Sequence, residues 1–102
     1  MKVEVTRFAK QELQSIYDYY SSVASDSVAL KVIDKILDEI ETLENFPSLG
    51  TKEPLLEKLK REHKYLVCGN YKIIFYKTEK VIYVTDIFDC RQNPKRILKR
   101  NK

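Results

Sequence analysis

The hydrophobic period of the chain changes once, near the middle, and this change limits the folds that are open to it. Before about residue 45, apolar side chains recur every three or four positions, which is the spacing of amphipathic α-helices. After Gly50 they fall in short β-branched and aromatic runs, which are typical of strands. With 102 residues, a second domain would leave each half too small to bury a useful core. The sequence therefore predicts one α+β domain over residues 1–102.

The first half predicts a short strand and two long helices. Val3 and Val5 alternate with polar neighbours, as in a half-buried strand. The apolar stripes of the two helices are Ala9, Leu13, Ile16 and Tyr20, and then Ala29, Ile33, Ile36, Ile40 and Leu43. Polar residues at 21–22 and 25–27 separate the stripes and supply an N-cap, and Pro47 ends the second helix. Two long helices joined by a short polar turn predict an antiparallel helical hairpin.

The second half predicts three strands and a short basic helix. Strand-like runs cover residues 61–67, 71–76 and 81–88, and short turns join them into an antiparallel meander. Pro94 suits the first turn of a C-terminal helix. The expected order is β-α-α-β-β-β. We expect the helical hairpin to cover one face of a mostly antiparallel sheet and to leave the other face open to a ligand.

Composition and motifs exclude several classes of protein. Hydrophobic residues at 43% and charged residues at 33% argue against a disordered chain. No apolar run reaches the roughly 20 residues that cross a bilayer, so no membrane partner is expected. Residues 1–6 carry no apolar signal segment and the chain has only two cysteines, which predicts a cytoplasmic protein. A single histidine, with no metal-ligand spacing and no nucleotide-binding motif, predicts no metal and no cofactor.

Charge is divided unevenly along the chain. Residues 1–51 hold 5 basic and 9 acidic side chains, whereas residues 52–102 hold 14 basic and 6 acidic ones. The stretch 91–102 has six basic residues and no acidic one. This division favours a surface that faces a polyanion or an acidic partner. The alternative is a solvated tail without a binding role.

Lys72 and Arg91 are the candidate anion-binding residues. Lys72 stands between apolar neighbours on the central strand run, where a cation is costly unless it meets water or an anion. If the last two strands pair as neighbours, Arg91 reaches the same side as Lys72, and the two cations form a phosphate or oxyanion site. In the alternative arrangement Lys72 reaches the rim of the sheet and Arg91 pairs with Asp89.

His63 and Tyr65 are the candidate proton-transfer residues. The positive charges of Arg61 and Lys64 are expected to lower the pKa of His63 and favour its neutral form, which can act as a base. Tyr65 is expected to flank the cationic site, as is Tyr71. The alternative for His63 is an ordinary surface or edge-strand residue, and for the tyrosines a role in the core and at its rim.

The sequence resembles the RelE/ParE superfamily of bacterial toxins from type II toxin–antitoxin systems. The resemblance spans nearly the whole chain, through the helix that starts at Phe8, the second helix with its end at 46–50, and the segments 69–76 and 84–94. It implies the same β-α-α-β-β-β fold, and the long helical hairpin is more similar to ParE than to RelE. It also implies one of two activities: ribosome-dependent mRNA cleavage, as in RelE, or poisoning of DNA gyrase, as in ParE.

The resemblance assigns roles residue by residue, and the nuclease pattern is only partly kept. Arg91 matches the arginine at the end of the last strand, while Lys72 stands where RelE-type enzymes carry an arginine. His63 and Tyr65 fall at the places of two lysines, and Ile97 falls near a catalytic tyrosine. In the nuclease hypothesis, Lys72 and Arg91 hold the scissile phosphate, and His63 or Tyr65 moves protons.

The resulting prediction is a toxin that inhibits bacterial growth and is held inactive by a cognate antitoxin. The target is DNA gyrase or ribosome-bound mRNA, and the eroded nuclease positions and long helices favour gyrase. Whether the protein is an enzyme is left open, as is the choice between a homodimer and a heterotetramer with the antitoxin. The alternative from another class is a small non-catalytic module that binds nucleic acid with its basic C-terminal half.

Overall fold

The computed structural model describes residues 1–101 and has the mixed α+β architecture that the sequence predicts. Its elements in chain order are β1 (Lys2–Val5), α1 (Arg7–Val23), α2 (Asp26–Asn45), β2 (Thr51–Lys52), a 3₁₀ helix (Pro54–Leu56), β3 (His63–Cys68), β4 (Tyr71–Lys77), β5 (Val81–Asp89) and α3 (Arg96–Arg100). The predicted order is therefore confirmed. The short strand β2 and the 3₁₀ helix between α2 and β3 were not expected.

Side-chain caps set where the two long helices begin. The Thr6 hydroxyl accepts a hydrogen bond from the Ala9 backbone N–H at 3.2 Å, and the Ser25 hydroxyl accepts one from Val28 at 3.1 Å. Because α1 continues to Val23, the break between the helices falls at residues 24–25, later than the serine pair at 21–22. Within residues 1–101 no helix is both long and apolar enough to cross a membrane.

The sheet has the strand order β1-β5-β4-β3-β2. β1 pairs with β5 in parallel, and the other neighbouring strands are antiparallel. The helical hairpin covers one face, here called the helix face, where Ile73 and Phe75 of β4 are completely or almost completely buried. Val84 and Ile87 of β5 join the same core, although residues three positions apart on a regular strand lie on opposite faces. A register shift between Ile74 and Phe75 of β4 explains this spacing.

The opposite face of the sheet, here called the second face, is partly covered by the chain itself. Four side chains form a small second core there, Leu56, Ile74, Phe88 and Ile97, and Leu59, Tyr65 and Leu98 pack against it. The expectation that this whole face is open to a ligand is therefore wrong. The reason is that residues 54–59 and α3, both rich in leucine and isoleucine, cross the second face and bury apolar surface against it.

The C-terminal helix is fixed by a buried acid. The Asp86 carboxylate, with no exposed surface, accepts hydrogen bonds from the Arg100 guanidinium at 3.1 and 2.6 Å and from the Asn101 amide at 3.1 Å. Arg100 also contacts Glu12 of α1 at 3.2 Å. Pro94 lies in the turn before α3, where its carbonyl accepts a bond from Ile97, and not in the helix as expected. The basic C-terminal segment is thus docked on the domain up to Asn101.

Two glycines give a matched test of the packing. Both have positive φ, at 109° for Gly50 and 57° for Gly69. A Cβ on Gly50 would lie 2.7 Å from Cζ of the buried Phe75, whereas one on Gly69 would meet nothing within 4 Å. We expect Gly69→Ala to lower the free energy of unfolding by about 1 kcal/mol, and Gly50→Ala by at least about 2 kcal/mol because of the added clash. Urea denaturation checks both, and equal losses would contradict the packing of Gly50 on Phe75.

Candidate functional site

Lys72 forms an ion pair with a buried glutamate, Glu53, whose role was not predicted from the sequence. Its Nζ lies 2.8 Å from Oε2 of Glu53, whose carboxylate is completely buried. The other carboxylate oxygen accepts a bond from the Leu55 backbone N–H at 3.3 Å and so caps the 3₁₀ helix. Nζ also stands 4.2 Å from the centroid of the Tyr65 ring. The charge of Lys72 is therefore neutralised by the protein itself.

Arg91 has a different partner. Its guanidinium forms a two-pronged pair with Asp89, with Nε at 2.9 Å from Oδ1 and Nη2 at 2.8 Å from Oδ2. The hydrogen bond from Arg91 holds the pKa of Asp89 below its usual value, and the same bond raises the pKa of Arg91. The alternative prediction, in which Arg91 pairs with Asp89, is confirmed. About half of the Arg91 side chain remains exposed.

The two cations lie on opposite faces of the sheet, so the predicted convergence of Lys72 with Arg91 is wrong. Asp89 pairs with Tyr71 on the helix face, and Arg91 folds back on Asp89 to line a small pocket beside α1. Lys72 pairs with Phe88 on the second face. The physical reason is the turn after β5: Asp89 accepts a bond from the Arg91 backbone N–H at 2.9 Å, and this turn holds the Arg91 side chain against Asp89 on the helix face.

His63 is a buried residue at the start of β3, with 7% of its surface exposed. Its Nδ1 donates to the Arg61 carbonyl oxygen at 3.0 Å, and its ring meets the Tyr76 ring edge-on at 5.4 Å. The pKa of His63 lies below its usual value, mainly because of burial and to a smaller extent because of the Arg61 charge. The expected lowering is confirmed, but its main cause is burial and not the neighbouring charges.

His63 and Tyr65 are two positions apart on β3, so their side chains lie on the same face of the sheet. The pairing of β3 with β4 makes this the second face, where Lys72 also lies. Tyr65 packs against the second core and lies under the Lys72 ammonium. Three of the four candidate residues are thus on one face, and the fourth, Arg91, is on the other. Ile97 falls near the position of a catalytic tyrosine in RelE-type enzymes, and only 1% of its surface is exposed. The catalytic roles of all four candidates stay predictions.

A cleft of about 390 Å³ opens at the uncovered end of the second face, and it was not predicted from the sequence. We call it the α1–α3 cleft, and its walls are Phe8, Leu59, Lys60, Arg61, His63, Tyr76, Thr85, Arg100 and Asn101. The basic run at 58–61 was a local sequence signal that could have indicated one wall of this cleft. The other walls come from distant parts of the chain, which no local pattern connects.

Comparison with known proteins supports the resemblance. Residues 3–94 match the family described as the ParE toxin of the type II toxin–antitoxin system parDE. The chain belongs to this family. No curated protein gives a significant match.

The fold is also found in a solved structure, that of a chromosomal ParDE toxin–antitoxin system from P. aeruginosa. A chain of that structure superposes with a TM-score of 0.74 and 23% sequence identity. The alignment covers 87% of this chain and 95% of that one. The likeness supports the ParE-like arrangement of the helical hairpin on the sheet.

Removing Lys72 alone should destabilise the fold. Lys72→Met leaves the Glu53 carboxylate buried without its cation, and we expect the free energy of unfolding to fall by roughly 3 kcal/mol. Glu53→Gln combined with Lys72→Met removes both charges and should come within about 1 kcal/mol of the wild type. Urea denaturation of the single and double variants measures the coupling. Strictly additive losses would contradict a direct ion pair, and Arg91→Ala, at the exposed pair, serves as the control with little loss.

His63 should make stability depend on pH. Because its pKa is lower in the folded than in the unfolded chain, the unfolded state takes up the proton first as pH falls. The stability that neutral His63 contributes is fully present above the unfolded-state pKa of about 6.5. It is lost as the pH falls through that pKa towards the lower pKa of the folded state. We expect the free energy of unfolding to decrease between about pH 7.5 and 5, and less so in His63→Gln. An identical slope in the variant would contradict this assignment.

Proposed function

We propose that this member of the ParE toxin family inhibits bacterial growth by binding and poisoning DNA gyrase, without cleaving RNA itself, and that a cognate antitoxin neutralises it. The observation that carries the proposal is the separation of Arg91 from the other three nuclease positions. Lys72 is neutralised by Glu53 on the second face, and Arg91 is paired with Asp89 on the helix face.

RNA cleavage needs a base, a cation and an acid around one phosphate. His63 has the neutral form that a base requires, but it is buried, and its Nδ1 is engaged with the Arg61 carbonyl. Tyr65 lies under the Lys72 ammonium. Arg91 lies on the helix face, so the sheet separates it from these three side chains. These positions support a toxin that acts by binding.

Exposed cations offer a binding surface for such a toxin. Lys60 and Arg61 before β3, and Lys95, Arg96 and Lys99 at the C-terminal end, are all exposed. Neither Arg96 nor Lys99 has a carboxylate within ion-pair distance among residues 1–101. A basic surface of this kind suits a target that is acidic or holds DNA, as gyrase does while it acts. It also suits an acidic antitoxin segment.

Induction of the chain without an antitoxin in a sensitive host tests the proposal. We expect growth arrest together with gyrase-trapped breaks in DNA and no new 5′ ends in mRNA. Arg96→Glu combined with Lys99→Glu should weaken the arrest at least about tenfold, because it inverts the charge of the basic surface. Lys31→Glu with Lys35→Glu on the exposed side of α2 is the matched control.

Each other outcome contradicts a specific part of the proposal. New mRNA 5′ ends without trapped DNA breaks would favour the ribosome as target. Unimpeded growth would favour the non-catalytic nucleic-acid-binding module. Equal loss of activity in the α2 control would show that the α3 charges have no special role.

A further inference from the structure

The α1–α3 cleft has the size of a small-molecule site. Its volume of about 390 Å³ falls within the range of about 300–1,000 Å³ that such sites occupy. Its walls come from the first turn of α1, the segment before β3, strands β4 and β5, and the end of α3. Three chemical features meet in this cleft, and the proposed function uses only the first of them, the cations Lys60 and Arg61.

The first feature is positive charge without an acid. Lys60, Arg61 and Arg100 line the cleft, and no aspartate or glutamate does. Arg100 already forms ion pairs with Asp86 and Glu12. Lys60 and Arg61 have no carboxylate within 4.0 Å in the part of the chain that the structure describes. The cleft therefore favours a ligand with a negatively charged group, such as a phosphate.

The second feature is a hydrogen-bond acceptor held in a fixed orientation. A carbonyl oxygen can only accept, so the contact with Arg61 places the proton of neutral His63 on Nδ1. Nε2 is then an acceptor. His63 is more than nine-tenths buried and lines the cleft. A ligand hydroxyl or N–H would complete this group.

The third feature is an aromatic wall. Phe8 is 38% exposed at the mouth of the cleft, and the Arg100 guanidinium lies 5.2 Å from its ring centroid. Leu59 extends the apolar surface. A flat aromatic group stacks well on such a wall.

We propose that the α1–α3 cleft binds a nucleoside monophosphate. Its phosphate lies between Lys60 and Arg61, a ribose hydroxyl donates to Nε2 of His63, and the base packs on Phe8. Inorganic phosphate would use only the cations, and a nucleoside only the other two features. This site goes beyond the proposed growth inhibition and is tested on the purified chain without gyrase or antitoxin.

The test is a titration of the ¹⁵N-labelled full chain with adenosine monophosphate, followed by backbone amide shifts. We expect saturable shifts at Phe8, Lys60, Arg61 and His63. Adenosine and inorganic phosphate should each bind at least about tenfold more weakly, because each lacks part of the contacts. The monophosphate of 2′,3′-dideoxyadenosine, which lacks both ribose hydroxyls, should bind about fivefold more weakly.

Variants separate the cleft from general charge. Lys60→Ala should weaken binding of adenosine monophosphate about tenfold, and Lys31→Ala, which removes the same charge on α2, should leave it unchanged. A well-dispersed amide spectrum of each variant shows that it is folded. No shifts at about 10 mM adenosine monophosphate would overturn the proposal. Phosphate binding as tight as the nucleotide, equal effects of the two lysine variants, or shifts with an acidic peptide alone would overturn it too.

Discussion

The ion pair between Glu53 and Lys72 determines how the second half of the chain is arranged. Its carboxylate is completely buried and its N–O distance is 2.8 Å. A buried carboxylate without a cation would be very costly, so the pair fixes the segment around the 3₁₀ helix against β4. That segment places Leu56 in the second core and Lys60 in the α1–α3 cleft. Because Lys72 is bound to Glu53, its charge is not free to bind a phosphate, as the nuclease hypothesis requires.

A second buried acid has the same effect at the C-terminus. Asp86 holds Arg100 and Asn101 and so docks α3 on the sheet, although that helix has only five residues and no side-chain cap. Polar contacts thus fix both segments that cross the second face, and apolar burial fills the space below them. Among residues 1–101, the exposed cations Lys60, Arg61, Arg96 and Lys99 have no carboxylate within ion-pair distance. This distribution is the basis of the proposal that the basic half acts by binding.

The elements could be predicted from the sequence because their signals are local. The stripes through Ile16 and Ile36 gave both helices, and the run at 71–76 gave the central strand. The site could not be predicted in the same way, because its contacts join residues far apart. Lys72 and Glu53 are 19 positions apart and lie in segments with no common period. The side of the sheet that Arg91 takes depends on one turn after β5, which strand alternation does not describe.

Growth arrest by a variant with both Glu53→Gln and Lys72→Met tests the central claim most directly. The substitution removes the cation from the nuclease position but keeps neutral side chains of similar size. If Lys72 has a structural role only, the folded double variant arrests growth in the absence of an antitoxin as strongly as the wild type. A double variant that is folded, as shown by its amide spectrum, but does not arrest growth would contradict the account.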